Sequence, residues 1–134
     1  MPGRAYRPST YTVDAAPSKL GSQRFPPAAT SPRMARAWAR ETLPPDVPVD
    51  VDAITLVVSE LTTNAVVHAR TSFVVSISAG DRSVRVEVED GSTHPPERTP
   101  RGVGLRVTDD VASAWGWYPT AVGKTVWVEL PVGL

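Results

Sequence analysis

The apolar positions of the chain change period several times, and each change marks an element. Met34, Ala35, Trp38, Ala39 and Leu43 recur every three or four residues and predict a first helix. Thr30 or Ser31 can cap it, Pro32 suits its first turn, and Pro44 stops it. Beyond the proline-stiffened PPDVPVD, Asp50 or Asp52 supplies the cap of a second helix over 53–69. Ile54, Val57, Val58, Leu61, Ala65 and His68 or Ala69 form its buried stripe. The period then falls to two. FVVSISA (73–79) and VRVEVE (84–89) are β-branched runs, and Gly80, Asp81, Arg82 and Ser83 between them predict an antiparallel hairpin. Val84, Val86 and Val88 alternate with Arg85, Glu87 and Glu89, so one face of the sheet is covered and the other wetter, which places the helices on one side. Residues 90–104 read as a loop, and Leu105, Val107, Val111, Ala112 and Trp115 suggest a third helix. TVWVEL (125–130) is the last strand. Near the start, Leu20 and Phe25 alternate weakly before Pro26 and Pro27, either as a short edge strand over 19–25 or as extended coil. Residues 1–18 lack any period and read as a flexible leader to a single domain over 19–134.

Composition narrows the possible functions. A chain of 134 residues with 41% hydrophobic content supports one core. Fourteen basic and fourteen acidic side chains give no net field to draw the molecule onto nucleic acid, so direct nucleic-acid binding is not expected. The absence of cysteine excludes disulfides, thiolate nucleophiles and Cys-rich zinc sites. No apolar run reaches the roughly 18 residues of a membrane span, and MPGRAYRPST lacks the apolar stretch of a secretory signal, so a cytoplasmic protein is the default expectation.

Four stretches carry candidate chemistry, and each has an ordinary reading beside the functional one. In SELTTNAVVHA, Glu60 and Asn64 lie four apart on one helix face, where they are either solvated polar residues or two groups meeting one ligand. In the second case the Asn64 carbonyl oxygen suits Mg²⁺, a hard ion that prefers oxygen, and Glu60 can polarise an attacking group. In VEDGSTHPP, Asp90 enters a turn with Gly91 and either forms that turn or accepts from an exocyclic amine. In RGVGLRV, Gly102 and Gly104 would let backbone N–H groups approach phosphate, although the spacing matches neither the P-loop nor the dinucleotide fingerprint. GKTVWVEL places Gly123 and Lys124 at a turn into the last strand.

In this order and spacing the four stretches, with WGWYP before the last, resemble the histidine-kinase-like ATPases of the Bergerat (GHKL) fold over roughly residues 20–131. The resemblance is strongest to small actinobacterial ATP-binding proteins similar to anti-sigma-factor serine/threonine kinases. It implies an α/β (α+β) two-layer sandwich, with a mixed, mainly antiparallel sheet and about three helices on one face. It also implies ATP and Mg²⁺ as cofactors. Asn64 would then coordinate Mg²⁺, Glu60 would be the general base, and Asp90 would recognise the adenine amino group beside Gly91. Arg101, Gly102, Val103, Gly104 and Leu105 would line the triphosphate, and Thr125 would support the adenine pocket. The implied partners are a sigma factor and an anti-anti-sigma antagonist, and the implied assembly is a homodimer.

The chain departs from the family pattern in three places. Asp90 and Gly91 are followed by Ser92, Thr93 and His94 without a second glycine, only eleven residues separate Asp90 from Gly102, and Val103 stands where close relatives often carry Arg. Arg98, Arg101 and Arg106 are the nearby groups able to neutralise phosphate charge. His68 and His94 come from different motifs without an acidic or Cys cluster, so a His-based metal site is disfavoured. The same departures keep two alternatives to a kinase open: an ATP-dependent binding module and an interaction scaffold that has lost nucleotide binding.

Overall fold

The structure, a computed structural model, describes residues 18–96 and 111–133. The expected leader therefore lies outside the described residues except for Ser18. Five strands form one sheet: β1 (Ser18–Phe25), β2 (Phe73–Ala79), β3 (Ser83–Asp90), β4 (Ala114–Pro119) and β5 (Lys124–Pro131), in the order β1-β2-β3-β5-β4. Every pairing among the described residues is antiparallel. Two helices, α1 (Ser31–Thr42) and α2 (Val51–Asn64), pack together and against the sheet, giving the two-layer α+β arrangement.

Local chemistry explains both helix starts. The Asp50 carboxylate accepts from the backbone N–H groups of Asp52 (3.0 Å) and Ala53 (3.2 Å), two donors that the first turn of α2 leaves without intrahelical partners. At α1 neither expected cap acts as one: Thr30 holds the N-cap position without a side-chain bond, and the Ser31 hydroxyl donates to the Pro26 carbonyl at 2.6 Å. Pro32 in the first turn compensates, because its missing N–H would have lacked a partner there in any case.

The core lies where α2 meets the sheet. Ile54, Val57, Val58 and Leu61 are buried against Val75, Ile77, Val84, Val86, Val88, Val128 and Leu130. Phe25 stacks on Phe73 (centroids 5.8 Å apart) and meets Trp38 edge-on, which ties edge strand β1 to α1. Parity sorts the other tryptophans: Trp115 and Trp117 of β4 pair with Val128 and Val126 on the helix side, whereas Trp127 sits opposite Glu87 and Gly116 on the other face. Trp127 is buried there with the Arg85 guanidinium 4.3 Å above its ring, and Arg85 pairs with Glu87 at 3.1 Å.

The expected third helix needs correction at its end. Trp115 belongs to β4, and residues 105–110 lie outside the described residues. A run of apolar residues this short fits both periods, and pairing along β5 decides for the strand. Among the described residues no helix is long and apolar enough to cross a membrane.

Candidate functional site

The helix-facing side of the sheet is apolar until its end, where it turns ionic. Alternation along β3 runs Val84, Val86, Val88 and then Asp90, and along β5 it runs Leu130, Val128, Val126 and then Lys124, with Asp90 and Lys124 in register. Both are buried, and the Lys124 ammonium Nζ lies 3.0 Å from each Asp90 carboxylate oxygen. The backbone N–H of Ser92 also donates to Asp90 Oδ1 at 2.9 Å. Desolvation offsets much of the attraction in such a pair, so its net contribution to stability is small, whereas removing one partner alone would leave a buried charge uncompensated.

Two close approaches hold this corner together. The Gly91 N–H donates to Thr71 Oγ1 at 2.8 Å, and a Cβ on Gly91 would touch the Thr71 side chain. Gly123, in the turn between β4 and β5, abuts the Asp90–Gly91 backbone so closely that a Cβ there would overlap the Asp90 carbonyl oxygen. The Thr120 hydroxyl oxygen accepts from Gly123 N–H at 3.0 Å and fixes that turn.

A cleft of about 130 Å³ opens between this corner and the end of α2. Leu61, Asn64 and His68 line it from the helix, at intervals of three and four that keep one face turned toward it. Val88, Asp90, Lys124 and Val126 form the sheet wall, and Ser92, His94, Pro95 and Pro96 line it from the loop after β3. Past Asn64 the helix widens into a π-helical turn, Ala65–Ala69, which ends at Arg70 in the left-handed region (φ 60°) with its N–H bonded to the Ala65 carbonyl. The Asn64 Oδ1 oxygen is buried and has no hydrogen-bond partner. A buried acceptor of this kind costs free energy unless something binds it. Glu60, one turn earlier, is half-buried, and burial raises its carboxyl above the ordinary glutamate value.

Asn64, Asp90 and Gly91 thus lie together at one end of the fold. Glu60 lies on the same helix but is not among the residues lining the cleft. Thr125 faces away from it, on the opposite face of the sheet, where it is buried in register with Tyr118 of β4. Arg98, Arg101, Gly102, Val103, Gly104, Leu105 and Arg106 lie outside the described residues. The reading by motif overlooked Lys124 as a cleft residue, although counting back by twos from Leu130 reaches it. It also gave no reason to bring His68 and His94 to one cleft.

Among the described residues no group of three His, Cys, Asp or Glu side chains could hold a metal. The unpartnered Asn64 oxygen does fit Mg²⁺, which takes few protein ligands and completes its shell with water and substrate phosphates. Compared with curated proteins, the chain finds no match. Compared with protein families, residues 49–134 match the histidine kinase-, DNA gyrase B- and HSP90-like ATPase family. That span begins just before α2 and takes in β2 to β5, and with them every residue lining the cleft. The chain belongs to this family of ATP-binding domains.

Proposed function

We propose that this ATP-binding domain is a regulatory protein kinase of the partner-switching type, which passes the γ-phosphate of ATP to a seryl or threonyl hydroxyl of an antagonist protein and thereby controls a sigma factor. A homodimer is part of the same proposal. The observation that carries the nucleotide site is the buried, unpartnered Asn64 oxygen in the same cleft as the Asp90 carboxylate. Asp90 accepts from the exocyclic amine of adenine, and Asn64 Oδ1 holds Mg²⁺. When bound, Mg²⁺ supplies charge neutralisation at the phosphate oxygens. Glu60 takes the proton of the incoming hydroxyl as its oxygen bonds to the γ-phosphorus, and the bond from that phosphorus to the bridging oxygen breaks and releases ADP. Burial makes the Glu60 carboxylate a better proton acceptor than an exposed one.

One observation favours a second reading, in which ATP sets a binding conformation and no phosphoryl group moves: Glu60 is not among the residues lining the cleft. Calorimetric titration with ADP and a nonhydrolysable ATP analogue, with and without Mg²⁺, tests what both readings share. Wild type should bind in a Mg²⁺-dependent way, and Asn64→Ala should lose that dependence. Equal Mg²⁺ dependence in the variant would remove Asn64 from the site. No binding by wild type at millimolar nucleotide would remove both readings.

A further inference from the structure

The Asp90–Lys124 pair has hydrogen-bonding capacity to spare. An ammonium group has three N–H donors, and Lys124 directs bonds at the two Asp90 oxygens, leaving one donor. A carboxylate offers about four lone-pair positions; Oδ1 uses two, for Ser92 N–H and Lys124, and Oδ2 uses one. The pair therefore presents one donor beside one acceptor at the sheet wall of the cleft. Leu61 on the helix side and Val88 and Val126 on the sheet side supply apolar walls for a flat ring. The described residues bound only about 130 Å³, below the roughly 300–1,000 Å³ that encloses a drug-sized ligand, so the ionic pair and its apolar neighbours form a wall for one flat ring while the rest of a nucleotide would extend past it.

We infer that Lys124 is a specificity-determining residue of the nucleobase end of the cleft, its ammonium donating to the ring nitrogen N1 of adenine while Asp90 accepts from the neighbouring exocyclic amine. The inference rests on the ATP site proposed above and adds to it a second reader of the base. Adenine carries its amine donor and its N1 acceptor side by side, which complements a fixed acceptor next to a donor. Hypoxanthine and guanine carry the reverse order, an oxygen acceptor and an N1–H donor. Asp90 is held by Ser92 N–H and by its place at the end of β3, so the pair cannot simply exchange roles. A donor bearing full charge in a buried setting makes one of the stronger hydrogen bonds, and losing it strands the group without water.

The test compares ATP with 1-deaza-ATP, which lacks only the N1 acceptor, in calorimetric titrations of wild type and Lys124→Met. Wild type should bind ATP about 10-fold or more tightly than the 1-deaza analogue. Lys124→Met should bind the two alike. Because removing the lysine leaves a buried carboxylate unpaired, the doubly neutral Asp90→Asn, Lys124→Met variant is measured too. Its asparagine carbonyl still accepts from the amine, and it should also fail to discriminate. Equal affinities in wild type would overturn the inference and leave ATP binding standing. A penalty for the analogue that persists in both variants would overturn it as well, since something other than Lys124 would then read N1. Wild type binding neither nucleotide would bring down the ATP site itself.

Discussion

Glu60 shows how one side chain couples stability and chemistry through a single proton. Burial raises its folded-state pKa above the ordinary value, so the carboxylate form is the disfavoured one. The folded state then holds the proton to higher pH than the unfolded chain does. Stability falls as pH rises from the ordinary glutamate pKa through the raised one, and the penalty is fully present above it. Glu60→Gln should therefore be more stable than wild type at neutral pH and gain nothing at pH values below the ordinary glutamate pKa, as denaturant titrations at the two pH values would reveal. If Glu60 takes the proton in phosphoryl transfer, activity needs the ionised form. The acid limb of wild-type phosphate transfer or release should then lie above the ordinary glutamate range, with Glu60→Gln inactive throughout yet still binding nucleotide. A wild-type profile flat through that range would end the general-base assignment. At this scale the sequence displayed Asn64 and Asp90 through their motifs, but it could not display the empty lone pairs of Asn64 Oδ1, because burial of a single atom depends on what packs around it.

At the level of elements, the turn between β4 and β5 is the sharpest constraint in the site. Gly123 packs against the backbone of Asp90 and Gly91, so the neighbour it would displace is main chain and not the pliable end of a side chain. Gly123→Ala should push the turn off Asp90, part Lys124 from its carboxylate and destabilise the fold by about 1–3 kcal/mol. Urea denaturation measures that loss, and a change below about 0.5 kcal/mol would contradict the close approach. Most elements were legible: α1, α2, β2, β3 and β5 follow from period and breakers, because long amphipathic helices and β-branched strands repeat one signal several times. β4 was not. Its Gly116 and terminal Pro119 weaken any strand signal, and Trp115 continues a helical spacing from Val111 and Ala112, so its pairing with β5 was beyond the reach of the local pattern. The π-helical turn left no trace either, since AVVHA extends the α-helical period without a break.

For the molecule as a whole, zero formal charge and a pI near 6.7 leave recognition to local surfaces and not to a global field. Ligand binding should nevertheless register globally, because the cleft joins α2 to β3 and β5, whose packing forms the core. Nucleotide with Mg²⁺ at about 100 times its Kd should stabilise the folded state by about 2.7 kcal/mol and raise the melting temperature by several degrees. Asn64→Ala should show little of that rise in a thermal shift series, and a full rise in the variant would contradict the Mg²⁺ assignment. The strand order has a further effect, on the history of each molecule as it is made. β5 is the last described strand along the chain, yet it lies between β3 and β4 and contributes Lys124 and Val126 to the cleft. On the ribosome, β1 to β3 can pair as soon as they emerge, but β4 must wait for β5, its one neighbour among the described strands. The sheet wall of the cleft is therefore finished only once synthesis has passed Lys124 and Val126, near the end of the described chain.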